Sequence, residues 1–118
     1  MSKRLPKLYL EDILSSISKI EDYVKSLSFK TFSDDPKTID AVVRNLEIIG
    51  EAAKNIPEVI RKKYPGTEWK KIAGIRDIII HAYFELDLDL IWDVVKNKIQ
   101  DLKQQIQEIL KEYEAKNN

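Results

Sequence analysis

Apolar residues recur at spacings of three and four along most of the chain, the period of one helical face. Leu10, Ile13, Ile17, Ile20, Val24 and Leu27 stack into a single stripe and predict a helix from about Leu8 to Leu27. The polar stretch Ser28 to Asp35 reads as a connection. It ends in Asp34-Asp35-Pro36, where an aspartate can cap free N–H groups and proline suits a first helical turn. A second helix should start there, carrying Ile39, Val42, Leu46, Ile49, Ala52, Ala53 and Ile56, with the small residues around Gly50 allowing a close helix crossing. Pro57 ends or kinks it. Val59, Ile60 and Tyr64 form a short amphipathic piece before the turn Pro65-Gly66. Thr67 can cap a third helix that begins near Trp69 and ends near Tyr83 to Glu85. Asp87 and Asp89 then offer caps for a last long stripe of Leu88, Ile91, Trp92, Val95, Ile99, Leu102, Ile106, Ile109 and Tyr113, with Glu114 to Asn118 expected to fray. The expected fold is all-α: one domain over residues 1–118, an antiparallel bundle of four main helices plus a short one.

Composition narrows the function classes. Lysine plus arginine number 20 and aspartate plus glutamate number 20, so any basic site must be local or assembled from two chains. Without cysteine there is no disulfide framework and no thiolate metal site, as is usual in a reducing cytoplasm. No apolar run approaches the roughly 20 residues of a membrane-spanning helix, and MSKRLPKLYLEDI lacks the apolar core of a signal peptide. A cytoplasmic protein without a membrane segment is expected.

Candidate chemistry gathers in the third helix. On a wheel, Ile72, Ile75, Ile78, Ile79 and Ala82 fall on one side and should face the core. Arg76, Asp77, Ile80, His81, Tyr83 and Phe84 fall on the other. His81 is the only histidine, and Asp77, four residues before it, can orient the imidazole and favour its protonated form. By spacing alone, a histidine in a last helical turn is satisfied by the helix dipole and an Arg-Asp pair by water. Ile80 and Phe84 change that balance. A bulky apolar patch beside charges suggests an interface, and for a small bundle a two-fold homodimer through the Ile80/Phe84 face is the common solution, bringing two copies of His81 to one cleft.

Arg76 to Tyr83 has the form R-x-x-x-x-H-x-Y and resembles the signature of HepT-like toxins in the HEPN group of helical ribonucleases. Ile39 to Ala53, with Gly50-Glu51-Ala52, looks like that family's second helix, and Pro65 through Trp69 to Lys70 resembles its entry to the motif helix. The likeness spans about Leu8 to Leu110. One position departs: many HEPN ribonucleases carry Asn after the arginine, where Asp77 stands here and adds an anion beside a phosphate site.

The resemblance implies the toxin of a type II toxin-antitoxin system, an endoribonuclease that needs no metal or other cofactor and works as a homodimer. It would cut RNA through attack by the substrate's own 2′-hydroxyl, with Arg76 and His81 catalytic and Asp77 and Tyr83 supporting. An imidazole holds both protonation states near neutral pH, so His81 suits proton transfer to and from oxygen, and Arg76 can hold a phosphate in a fork. Tyr83 can stack on a base, bond to phosphate, or lie as a rim tyrosine against the bundle. The resemblance also implies a partner, a nucleotidyltransferase antitoxin of the MNT type that transfers AMP to the motif tyrosine, here Tyr83. A bulky phosphate there would compete for Arg76. The alternative is a binding module without turnover that docks a nucleotidyltransferase or a nucleotide. Arg61-Lys62-Lys63 and Lys70-Lys71 have at most a supporting role on an RNA surface, and short basic runs are commonly just solvated. Glu47 and Glu51 lie at metal-ligand spacing, but no histidine accompanies them on that helix.

Overall fold

Three long helical stretches carry the core of the computed structural model, which describes residues 4–79 and 85–117. The first is α1 (Pro6–Val24), with Pro6 in its first turn, where a missing N–H costs nothing. Its Leu10, Ile13, Ile17 and Ile20 are completely buried, as the stripe requires. The second, α3 (Pro36–Lys54), starts as its sequence prescribes: the Asp35 carboxylate accepts from Thr38 N at 3.2 Å and from the Thr38 hydroxyl at 2.7 Å. The third stretch comprises α7 (Leu88–Asp93), a π-helical turn (Val94–Lys98) and α8 (Ile99–Asn117). Its cap is Asp87, which accepts from Leu90 N at 3.0 Å.

The wide turn has a reason in the sequence. Ile91, Val95 and Ile99 are all buried, and they follow one another in two successive steps of four. In an α-helix each such step overshoots a full turn by about 40°, so the two together would rotate Ile99 about 80° from Ile91, toward the edge of the core face. A turn with i→i+5 bonding absorbs the excess and keeps all three inside. Ion pairs mark the direction of packing. Lys7 near the start of α1 meets Glu114 near the end of α8 at 3.5 Å, while Glu21 near the end of α1 meets Lys103 at 3.0 Å, so the two helices are antiparallel.

Several expectations change. The polar stretch after α1 contains α2 (Phe29–Ser33), nucleated by a reciprocal Ser28/Thr31 capping box and seated by the fully buried Phe32. Phe32 and Phe29 pack on Trp92 of α7 at ring separations of 5.1 and 6.2 Å, and Lys96 lies 4.9 Å over the same indole. The tail does not fray at Glu114; α8 runs to Asn117, held by the Lys7 pair. Thr67 does not cap through its side chain. It is buried, its carbonyl accepts from Trp69 N at 2.8 Å, and the cap position falls to Glu68.

The third main helix is interrupted. After α4 (Glu58–Lys63), α5 (Trp69–Ala73) stops at Gly74 and α6 (Ile75–Ile79) follows. The Gly74 carbonyl accepts from both Asp77 N at 3.0 Å and Ile78 N at 3.3 Å, a local tightening of the helical ladder. Glu85 is not helical, and the part of the expected helix over 80–84 lies outside the described residues. None of the described helices is long and apolar enough to cross a membrane.

Candidate functional site

Arg76 and Asp77 stand on α6, and packing beneath that helix fixes where they point. Ile79 is completely buried, and Ile72 and Ile75 are half-buried against the core. Trp69 anchors the approach: its ring is buried and its indole N–H donates to the Tyr64 carbonyl at 3.1 Å. The α5–α6 junction rests on α3 at Gly50, where a Cβ would meet Ile75 Cγ2 at 3.1 Å and the carbonyl oxygens of Ile72 and Ala73 at 3.2 and 3.3 Å. The small residues expected to permit a close helix crossing do so here, and what crosses is the backbone just before Arg76.

The Arg76 and Asp77 side chains are exposed, as the wheel predicts. Among the described residues no carboxylate lies within ion-pair distance of Arg76. On the far side of 80–84, Asp87 N donates to the Ile79 carbonyl at 2.9 Å, which joins residues 79 and 87 directly. His81 and Tyr83, with Ile80, Ala82 and Phe84, lie outside the described residues, as does the pairing of Asp77 with His81.

Ile78 corrects the wheel. The wheel places it on the core side, yet it is 42% exposed. One side of it lines a cleft of about 470 Å³ between α5–α6 and the α7–α8 stretch, floored by Leu46, Ile49, Ile72, Ile75 and Val94. Lys71, Lys98, Asp93 and Asp101 stand at its edges. Periodicity could not find the cleft, because it forms where two helices diverge while each keeps a normal apolar stripe. On α3, Asn55 Nδ2 donates to the Glu51 carbonyl at 2.8 Å and to its carboxylate at 3.4 Å.

An all-helical bundle that presents an exposed arginine at the head of an R-x-x-x-x-H-x-Y run fits a protein of HEPN type. Comparison with known proteins makes the assignment narrower. The family model described as Ribonuclease HepT-like matches residues 13–109. A protein of Methanocaldococcus jannaschii named "Putative RNase" is 43% identical over 115 residues, covering 98% of this chain and 95% of its own length. The "Probable ribonuclease HepT" of Thermococcus cleftensis is 44% identical over 109 residues, 92% of this chain and 99% of its own. A two-part protein of M. jannaschii, named as a gamma-glutamylcyclotransferase and putative RNase, matches at 46% identity over 112 residues, 95% of this chain and 50% of its own length. No solved structure matches. The chain belongs to the HepT-like ribonuclease family.

Proposed function

We propose that this chain is the toxin of a type II toxin-antitoxin pair, a metal-independent endoribonuclease whose site forms across a homodimer. The observation that carries this reading is Arg76: exposed, without a carboxylate partner among the described residues, and mounted on a short helix locked to the core by Ile79 and by the Gly50 crossing. A guanidinium held in that way is preorganised for phosphate. Ile78 supports the dimer, because an exposed isoleucine beside an apolar cleft, two residues from Arg76, extends the apolar face assigned to Ile80 and Phe84.

In this mechanism the RNA 2′-hydroxyl attacks the adjacent phosphorus. His81 of one copy takes the hydroxyl proton, the P–O5′ bond breaks, and His81 of the second copy gives a proton to the departing 5′ oxygen. The products are a 2′,3′-cyclic phosphate and a 5′-hydroxyl. Arg76 neutralises charge on the non-bridging oxygens, and Asp77 orients His81. An MNT-type nucleotidyltransferase antitoxin would silence the site by transferring AMP from ATP: the Tyr83 oxygen, losing its proton, attacks the α-phosphorus, pyrophosphate leaves, and the resulting phosphodiester places an anion where Arg76 would otherwise hold RNA.

A second reading, a docking module without turnover, draws support from the exposed carboxylate of Asp77 beside Arg76. Digestion of RNA by the purified chain in the presence of a chelator separates the two. Cleavage to cyclic-phosphate ends by the parent, lost in His81→Ala and reduced about 100-fold or more in Arg76→Ala, supports the nuclease. Equal cleavage by the parent and His81→Ala would refute the assignment of His81.

A further inference from the structure

The cleft beside α6 has a chemistry that neither phosphate binding nor proton transfer uses. Its volume of about 470 Å³ falls in the roughly 300–1,000 Å³ range of pockets that bury small ligands. It opens against the arginine's own helix, since Ile75 and Ile78, which flank the exposed Arg76 and Asp77, both line it. The floor is aliphatic and is closed below by the buried Leu46 and Ile49. The rim carries both signs of charge, Lys71 and Lys98 against Glu68, Asp93 and Asp101. Such a rim has no net attraction for a phosphate, and an aliphatic floor makes no bond to one. The combination suits an uncharged body with flat apolar faces and a polar edge.

Partnering narrows which rim groups can meet that edge. Lys71 pairs with Glu68 at 2.9 Å, and the Asp93 carboxylate accepts from Asn97 Nδ2 at 2.8 Å. Lys98, Asp101 and Gln105 have no side-chain hydrogen bond or ion pair among the described residues. They follow one another at spacings of three and four, so they form one row along the wall that runs from the π-helical turn into α8, across from the isoleucines of α5–α6. The wide turn sets the first member of the row. Asp93 and Lys98 are five residues apart, which on a regular helix would turn them about 140° from each other. Both nevertheless line the cleft, across the π-helical turn Val94–Lys98. Turns of this kind are frequent at functional sites.

We infer that the cleft is a nucleobase subsite that takes a guanine of the RNA beside the phosphate held at Arg76. This rests on the ribonuclease reading above. The faces of the base lie against Ile72, Ile75 and Val94, while the outer side of Ile78 stays open to the second copy. The guanine edge presents an acceptor, O6, next to two N–H donors on N1 and N2. An ammonium donates to the first and a carboxylate accepts from the other two, and Lys98 and Asp101 supply that pair from one helical wall. Gln105, with a donor and an acceptor of its own, serves the ribose hydroxyls. Guanine alone among the four bases offers two adjacent N–H groups there, so any other base leaves the Asp101 carboxylate short of a donor. Arg76 thereby places the backbone, and the cleft selects which base stands next to the cut.

Two measurements on the full chain test the subsite. In the first, the parent digests RNA of mixed sequence in the presence of a chelator, and the new ends are sequenced. Guanine should stand beside the cut about tenfold or more over each other base, the discrimination of one good bidentate contact. Asp101→Ala and Lys98→Ala should lose cleavage at guanine by about tenfold and bring the ratio near even. Both side chains are exposed and unpaired among the described residues, so the urea midpoint of each variant should match the parent and separate lost recognition from lost folding. In the second, guanosine 3′-monophosphate and uridine 3′-monophosphate are titrated into the His81→Ala chain. The guanosine compound should bind about tenfold more tightly, and adding Asp101→Ala should bring the two affinities together. Cleavage without base preference, or a preference that both variants leave unchanged, would overturn the guanine subsite alone. A parent that cuts no RNA while the guanosine advantage persists would overturn the ribonuclease reading and uphold the subsite. Loss of both signals would overturn both.

Discussion

Replacing Gly50 by alanine probes the contact that positions Arg76. Two effects of known sign compete. Alanine in a helix interior gains about 1 kcal/mol over glycine from backbone entropy alone. Against that, the new Cβ would lie 3.1 Å from Ile75 Cγ2 and 3.2 and 3.3 Å from the Ile72 and Ala73 carbonyl oxygens. Two of these neighbours are backbone, and they belong to a junction held from below by Ile79 and from one end by the Trp69 indole, so they yield only by moving α5 and α6 together. Overpacking of this kind costs about 1–3 kcal/mol, so Gly50→Ala should destabilise by about 1 kcal/mol net. Gly74 is the internal control. A Cβ there meets only the Lys70 carbonyl at 3.4 Å and the Lys71 carbonyl at 4.0 Å, and its φ of −93° suits any L-residue. Gly74→Ala should be neutral or stabilising by up to about 1 kcal/mol. Urea unfolding at matched slope reads both. RNA cleavage below either transition adds a second readout. Shifting α6 by a few tenths of an ångström displaces Arg76, so Gly50→Ala should lose turnover several-fold while still fully folded. A Gly50→Ala midpoint at or above that of Gly74→Ala would refute the claim that this junction is rigid.

Two further expectations concern ionisation. Tyr64 is pushed up to about 12 by its hydrogen bond to Glu112, with burial and the carboxylate charge adding to the shift. A phenol whose pKa is raised by folding contributes stability below its ordinary value near 10, and that contribution is lost as pH rises toward about 12. The melting-temperature advantage of the parent over Tyr64→Phe should therefore vanish across that window, and an advantage persisting above it would argue against the bond. The Asp35 carboxyl is held below its usual value by the Thr38 side chain and then by the Thr38 backbone N–H. Its capping contribution should be complete above about pH 4 and lost as pH falls through the lowered native value, so thermal melts of the parent and Asp35→Ala should converge only in acid. Parallel curves down to the lowest pH at which the protein folds would contradict that role.

Burial explains why much of this molecule was legible in its sequence. Residues that leave water must share a face, so Leu10 to Val24, Ile39 to Ala53 and Ile91 to Ile109 declared their helices through spacing, and Asp35 and Asp87 marked two starts because side-chain oxygens there meet free N–H groups. Arg76 was legible for the converse reason, as a charge opposite an apolar stripe. What stayed hidden depends on backbone and on divergence between elements. The α2 turn rests on one buried phenylalanine and a two-residue capping box inside a polar stretch, too short for periodicity to register. The interruption at Gly74 leaves the stripe of Ile72, Ile75 and Ile79 intact on either side, so a continuous helix and a broken one have the same pattern. Ile78 sits at the edge of that stripe, and only the opening of the cleft beside it turns an expected core residue into an exposed one. The expectations that failed at Gly74 and Ile78 thus border the proposed site. A bundle that closed fully on α6 would bury Ile78; the open cleft instead leaves it exposed two residues from Arg76, on the surface that the proposed second copy would cover.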